Sequence, residues 1–216
     1  ITNTVENLSE GLGITQIYKL GHNPHDAGKM LIGSQDNGTG ILSNNYSDLI
    51  GTGDGMECFY DPLDPNVLYF STQNGSLHRR YNLNSSPSIT NINPPGTRGT
   101  GAWVTPFLHD PIDPYAIYAG FTDVWKNPRH GSFDWINLTN GATGTDEATL
   151  VTVAPSDNNY IYVVKSNGIL YRTTDGGTTW ALVSGNAPAP RQLPDLTIVQ
   201  MRIELQNTSC LAPGDP

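Results

Sequence analysis

The chain has 216 residues, of which only 14 % are charged, against about 25 % in an average soluble domain. It contains 23 glycines and 16 prolines and is rich in Asn and Thr, a composition that favours an all-β protein over a helical one. The formal net charge of −9 repels a phosphate backbone, which argues against nucleic-acid binding. No apolar run approaches the ~20 residues that a membrane-spanning helix needs.

A pattern of turns recurs four times along the chain, at intervals of roughly 40 to 50 residues. Each unit opens with a strand-like run that ends at a proline-containing turn; these turns begin at Asn23, Asp61, Asp110 and Ala154. A second run leads to a hairpin signal, where Asn, Asp or Gly tolerates the positive φ of a tight turn. The four hairpins contain Asn37, Asn74, Asp123 and Asn167, and a third run leaves each of them.

This repeat predicts four-stranded blades of a β-propeller, with about four blades in the chain. A solenoid of helix pairs is excluded, because no unit contains a long stretch of helical periodicity. A β-sandwich would also give regularly spaced strands, but it would not repeat the same turn chemistry at the same place in each unit.

The fourth unit carries a sharper motif, Ser/Thr-x-Asp-x-Gly-x-Thr-Trp, in Thr173, Asp175, Gly177, Thr179 and Trp180. It resembles the Asp box of BNR and sortilin-like propellers, a group that includes sialidases and xyloglucanase-type glycosidases. The resemblance implies a structural role: the acid holds a turn and the indole packs between sheets. The third unit has a decayed version at residues 128–135, where we place His130 at the acidic position.

Four further segments, at residues 33–39, 53–58, 73–77 and 101–107, resemble the sortilin-like propellers of large secreted Bacteroidetes proteins. This resemblance spans roughly residues 11–186. It implies a secreted or cell-surface location, export through the type IX secretion system, and other domains of the same long chain as partners.

Three parts are therefore predicted. Propeller blades occupy residues 1–186, a proline-rich linker residues 187–194, and residues 195–216 resemble the start of an Ig-like domain of the CARDB kind. Alternatively, residues 196–205 form the inner strand of a fifth blade. We expect the flanks of the first and fourth units to be covered by further protein, since an open arc of blades exposes apolar area.

The candidate ligand-binding residues lie in turns and inner strands, where propellers bind ligands. The acidic candidates are Asp36, Asp54, Glu57 and Asp123, and the aromatic candidates are Trp103 and Trp125. For the acids, turn formation or channel lining is the favoured interpretation. No catalytic residue is predicted, because the sequence alone does not place any pair of carboxylates. Sialidase activity is disfavoured, because no arginine lies in a sialidase-like segment. No cofactor or metal is predicted either, since the histidines lack zinc spacing and the Asp-Pro turns are better explained as turns than as calcium loops.

The sequence thus predicts a non-catalytic propeller for adhesion or for binding carbohydrate or protein. The alternative is a polysaccharide-active glycoside hydrolase, which needs two carboxylates about 5 to 10 Å apart across a cleft.

Overall fold

The computed structural model describes residues 14–43, 46–83, 87–132, 134–184 and 198–203. Nearly all regular structure in these ranges is β-strand, and the helical part is one short 3-10 turn, Gln73–Gly75. The described residues contain no helix of the length and hydropathy needed to cross a membrane. The predicted linker at residues 187–194 lies outside the described residues.

The strands form four antiparallel four-stranded sheets, each from consecutive strands. The first sheet contains β1 (Ile17–His22), β2 (Lys29–Ser34), β3 (Gly38–Ser43) and β4 (Tyr46–Gly51). The second contains β5 (Gly55–Tyr60), β6 (Leu68–Thr72), β7 (Ser76–Tyr81) and β8 (Ser88–Asn91). The third contains β9 (Phe107–His109), β10 (Ile117–Gly120), β11 (Val124–Asn127) and β12 (Ile136–Asn137). The fourth contains β13 (Ala148–Val153), β14 (Ile161–Lys165), β15 (Leu170–Thr173) and β16 (Ala181–Leu182).

This architecture confirms the predicted propeller blades. The four hairpin residues lie at equivalent places, between the second and third strands of their sheets; they are Asn37, Asn74, Asp123 and Asn167. The residues that need a positive φ there are Asp36, Gly38, Asn74, Gly75 and Gly168. Asn, Asp and Gly tolerate that conformation, which is why the hairpins could be recognised in the sequence.

The proline-containing turns join the first and second strands of each sheet. In the second sheet, the Asp61 carboxylate accepts hydrogen bonds from the backbone N–H groups of Leu63 (2.9 Å) and Asp64 (3.1 Å). Asp110 does the same for Ile112 and Asp113 in the third sheet. These acids therefore form Asx turns.

Consecutive sheets pack face to face through apolar side chains. Leu68, Ile117 and Ile161 occupy the same register position in the second, third and fourth sheets, and each is fully buried. The backbones approach closely near the first interface, where a Cβ added to Gly33 would lie 2.2 Å from the Met56 carbonyl oxygen. Only glycine allows that approach.

The first sheet differs from the other three on the face that points away from the second sheet. Met30, at the register position of Leu68 and Ile117, is 40 % exposed. Three more residues of this face are more exposed still: Ile17, Leu20 and Leu49. We call these four residues the first-sheet face. The expectation that further protein covers the first flank fits this exposure and remains a proposal.

The far side of the fourth sheet does not show the same exposure. Val164 and Leu170 are buried there, and Tyr162 and Leu150 are half-buried. The expectation that further protein covers the fourth flank therefore has no equivalent support in the described residues and remains a prediction.

Candidate functional site

The loops between blades and the second-to-third-strand hairpins share one side of the molecule, which we call the hairpin face. Here the connection between the second and third sheets brings Trp103 into hydrogen-bond contact with the first sheet. Its indole N–H donates to the Tyr18 hydroxyl (3.4 Å), which donates to Gln35 Oε1 (3.3 Å). The Trp103 carbonyl accepts from the backbone N–H of Asn74 (3.2 Å). Trp103 is held by two hydrogen bonds of its own, yet 49 % of its surface is exposed.

Beside this aromatic contact, a chain of polar groups links two hairpins. The backbone N–H of Asp36 donates to Asp54 Oδ1 (2.8 Å), and the backbone N–H of Asp54 donates to Gln73 Oε1 (3.3 Å). Asp36 has a φ of 58° and is exposed, and Asp54 is half-buried. The arrangement presents carboxylate and amide groups next to an aromatic ring.

The innermost strands of all four sheets line an open central cavity of about 530 Å³. Residues 199–201 also line it, next to β13. Its wall carries one ion pair, in which Lys19 Nζ lies 2.7 Å from Glu57 Oε1. Burial raises the pKa of Glu57, although Lys19 opposes that shift. Burial, together with the Glu57 charge, also raises the pKa of the neighbouring Cys58 thiol to about 12, which makes it unreactive.

Two of the six predicted ligand residues make structural contacts, and their predicted ligand binding stays a prediction. Asp123 accepts hydrogen bonds from the Thr139 hydroxyl (2.6 Å), the Gly141 N–H (2.8 Å) and the Asn137 amide (2.8 Å). Burial alone would raise the pKa of Asp123, but these bonds outweigh it and lower the pKa. Trp125 is half-buried and packs against the core between the second and third sheets.

The sequence analysis missed three residues of this site: Tyr18, Gln35 and Gln73. The repeat could have indicated the two glutamines, because each directly precedes the turn residue of its hairpin. Tyr18 gave no such signal, because its role depends on a loop 85 residues away in the chain.

The predicted Asp-box residues form a closed turn. Asp175 accepts hydrogen bonds from the Thr179 hydroxyl (2.6 Å), the Thr179 N–H (2.9 Å) and the Thr173 hydroxyl (2.7 Å). The pKa of Asp175 is lowered to about 2 by these bonds. The Gly177 N–H donates to Thr173 Oγ1 (3.0 Å). The Trp180 indole packs against the core between the third and fourth sheets and donates to the Leu138 carbonyl (3.0 Å).

The third sheet has a related turn, and here the expected alignment is wrong. The Gly131 N–H donates to Asn127 Oδ1, as that of Gly177 does to Thr173. Arg129, not His130, therefore stands at the acidic position. The mistake comes from one additional residue between Gly131 and Trp135, which shifts the tryptophan relative to the glycine. Trp135 still docks on the preceding blade, donating to the Ile92 carbonyl (2.7 Å).

A second polar cluster joins the second and third blades away from the hairpin face. His130 Nδ1 lies 2.6 Å from Asp61 Oδ2, and the Tyr69 hydroxyl donates to the same oxygen (2.9 Å). Burial alone would raise the pKa of Asp61, but the Leu63 N–H, Tyr69 and His130 together lower it. Within the described ranges, no three His, Cys, Asp or Glu side chains gather as a metal site requires.

No family model matches the sequence, and no curated protein matches it either. Solved structures do match. An ancestral GH74 enzyme has a TM-score of 0.62 at 20 % identity, over 80 % of this chain and 24 % of its own. The GH74 xyloglucanase from Xanthomonas campestris has a TM-score of 0.57 at 17 % identity, over 82 % and 31 %. The GH74 enzyme of Niastella koreensis has a TM-score of 0.54 at 15 % identity, over 76 % and 24 %.

At these identities the similarity shows the fold alone, which is that of an all-β propeller. The chain spans less than a third of the length of each of these three proteins.

Proposed function

We propose that the chain is a non-catalytic propeller module that binds carbohydrate on its hairpin face. The observation that carries this proposal is Trp103, an exposed indole fixed through its N–H to Tyr18. An aromatic ring held in place offers a sugar a surface at little cost in side-chain entropy. Gln35, Asp54 and Gln73 supply polar groups for hydroxyls nearby, as a ligand site needs beside its apolar surface.

The proposed setting is a secreted or cell-surface protein with further domains. The resemblance to sortilin-like propellers of Bacteroidetes supports it, and so does the closed turn around Asp175, which has the hydrogen bonds expected of an Asp box. Export by the type IX system and an Ig-like module from residue 195 onward belong to the same proposal. The other domains of the long chain would be the partners of this module.

Affinity electrophoresis of the chain in gels containing xyloglucan, or in turn cellulose or chitin derivatives, tests the binding. We expect at least one polysaccharide to retard the chain, and Trp103→Ala to lower the affinity about tenfold or more. Trp103→Phe should have an intermediate effect, because it keeps an aromatic ring but loses the bond to Tyr18. Tyr160→Ala is the matched control, since Tyr160 is an exposed aromatic residue in the turn before β14. Equal retardation of wild type and Trp103→Ala would overturn the proposal, as would no retardation by any polysaccharide.

A second candidate function is polysaccharide hydrolysis, favoured by Glu57. Burial in the central cavity raises the pKa of Glu57, as a general acid requires, although the ion pair with Lys19 opposes that shift. Hydrolysis also needs a second carboxylate, and Glu57 is the one acidic residue in the described lining of the cavity. The three similar solved structures are GH74 enzymes, one of them a xyloglucanase. Release of reducing sugar from xyloglucan, lost in Glu57→Gln, would establish this function. Binding without release would leave the binding module as the better account.

A further inference from the structure

The aromatic and acidic residues of the hairpin face are joined in one closed cycle of contacts. Five links of the cycle are hydrogen bonds of 2.8 to 3.4 Å, and two are peptide bonds between chain neighbours. The exposed indole and the two carboxylates therefore border the same small area of surface. We call this area the Trp103 patch; the cycle starts and ends at Trp103 and runs through Tyr18, Gln35, Asp36, Asp54, Gln73 and Asn74.

The two acids of the Trp103 patch carry charges that no ion pair neutralises. The bond between them uses the backbone N–H of Asp36 and one carboxylate oxygen of Asp54. The carboxylate of Asp36, an exposed residue, is therefore left to meet a ligand. None of the ion pairs among the described residues includes either acid.

Two cations near the patch in the chain are bonded elsewhere. Lys19 directly follows Tyr18, but its ammonium pairs with Glu57 at 2.7 Å. Arg98 belongs to the same loop as Trp103, and its Nε donates to Ser76 Oγ (3.2 Å). The Trp103 patch therefore combines an aromatic face with negative charge.

We propose that the Trp103 patch binds a polysaccharide with free amino groups, a polymer of hexosamine, in preference to neutral and acidic polysaccharides. This inference rests on the proposed function and names its ligand class. A protonated amine suits both parts of the patch, because an indole face attracts cations and a carboxylate accepts charge-assisted hydrogen bonds from an ammonium. A uronate would meet charge of its own sign.

A metal ion is a poorer occupant of this patch than an ammonium. Within the ranges that the structure describes, no three His, Cys, Asp or Glu side chains gather closely enough to hold one. A hard cation such as Ca²⁺ takes six to eight oxygen ligands, whereas an ammonium needs only a few acceptors and gains from the indole face.

Isothermal titration of the full chain with two sugars tests the preference. The first is tetraglucosamine, the fully deacetylated β-1,4 tetramer, and the second is cellotetraose, which has hydroxyls in place of the amines. At about pH 5.5 the amines are protonated and the aspartates are ionised. We expect tetraglucosamine to bind about tenfold more tightly than cellotetraose. The difference should shrink in about 1 M salt, because the carboxylates lie near the surface.

Asp36→Asn and Asp54→Asn should each weaken tetraglucosamine about threefold and leave cellotetraose unchanged. Both changes remove a charge and keep the local structure. Asn tolerates the φ of 58° at Asp36, and an amide oxygen in place of the Asp54 carboxylate still accepts the N–H of residue 36. Asp64→Asn is the matched control, since it removes the same charge from an exposed residue in the turn between β5 and β6.

Equal affinity of the wild type for the two tetramers would overturn the preference, and so would an equal loss in Asp64→Asn and Asp36→Asn. Cellotetraose binding that disappears in Trp103→Ala would in that case still support the proposed carbohydrate module. No binding of either tetramer would also overturn the preference, whereas retardation of the chain by xyloglucan would still support the module.

Discussion

The junction between the second and third blades and the junction between the third and fourth are built on the same frame with different partners. In both, an Asx-turn acid accepts a tyrosine hydroxyl: Tyr69 to Asp61 and Tyr118 to Asp110. The next blade then approaches the acid, with His130 at Asp61 and with the Asn158 amide at Asp110. The repeated sequence pattern supplies the acid and the tyrosine. The next blade supplies a third partner, which differs between the two junctions.

The largest expected effect is that of Asp61→Ala. This change removes the acceptor of Tyr69, the partner of His130 and the cap of two backbone N–H groups, so we expect a loss of about 3 to 5 kcal/mol in the free energy of unfolding. Urea denaturation followed by tryptophan fluorescence measures it. Asp64→Ala is the control, because Asp64 is exposed and its carboxylate accepts only the Asn66 N–H in the described residues. A smaller loss for Asp61→Ala than for Asp64→Ala would contradict the role of the junction.

The same junction gives a pH dependence. The pKa of Asp61 is lowered in the folded chain, so its contribution to stability is present above the ordinary carboxyl pKa of about 4. That contribution is lost as the pH falls through the lower, folded pKa. Repeating the denaturation between pH 7 and pH 3 should show a smaller decline for Asp61→Asn than for the wild type.

The next effect is that of the docking indoles. Trp180→Ala removes a half-buried ring from the core between the third and fourth sheets, and we expect a loss of about 3 kcal/mol. Trp180→Phe keeps a ring and loses the hydrogen bond to the Leu138 carbonyl, which should cost about 1 kcal/mol. Thermal unfolding of the two variants compares them. A Trp180→Ala protein as stable as the wild type would contradict the packing of this ring.

The smallest expected effect is that of removing the Tyr162 hydroxyl, in comparison with the equivalent hydroxyls of Tyr69 and Tyr118. Tyr69→Phe and Tyr118→Phe each lose a bond to a buried carboxylate, at about 1.5 to 3 kcal/mol. Tyr162 holds the same register position in the fourth sheet, but Ala154 replaces the acid there. Tyr162→Phe should therefore change the stability by less than about 0.5 kcal/mol. Equal losses at all three positions would show that the hydroxyl bond is not the cause.

The blades could be predicted because their signals are local. Asn and Gly in the hairpins, and Asp61 and Asp110 in the Asx turns, are favoured by backbone geometry within a few residues. The candidate site was only partly predictable, because Trp103, in the loop between the second and third sheets, meets Tyr18 of the first sheet and no spacing in the sequence encodes that contact. The position of Arg129 was missed for a different reason. One more residue separates Gly131 from Trp135 than separates Gly177 from Trp180, yet Trp135 still contacts the preceding blade.

The first-sheet face affects how the chain behaves in solution. Leu20 and Met30 give an apolar surface of the kind that associates on contact, whereas the net charge of −9 keeps molecules apart. That repulsion reaches only about 10 Å at 0.1 M salt and about 3 Å at 1 M. A high salt concentration therefore screens the electrostatic repulsion between molecules and also strengthens the hydrophobic attraction between their first-sheet faces. The chain is best handled in dilute buffer for this reason.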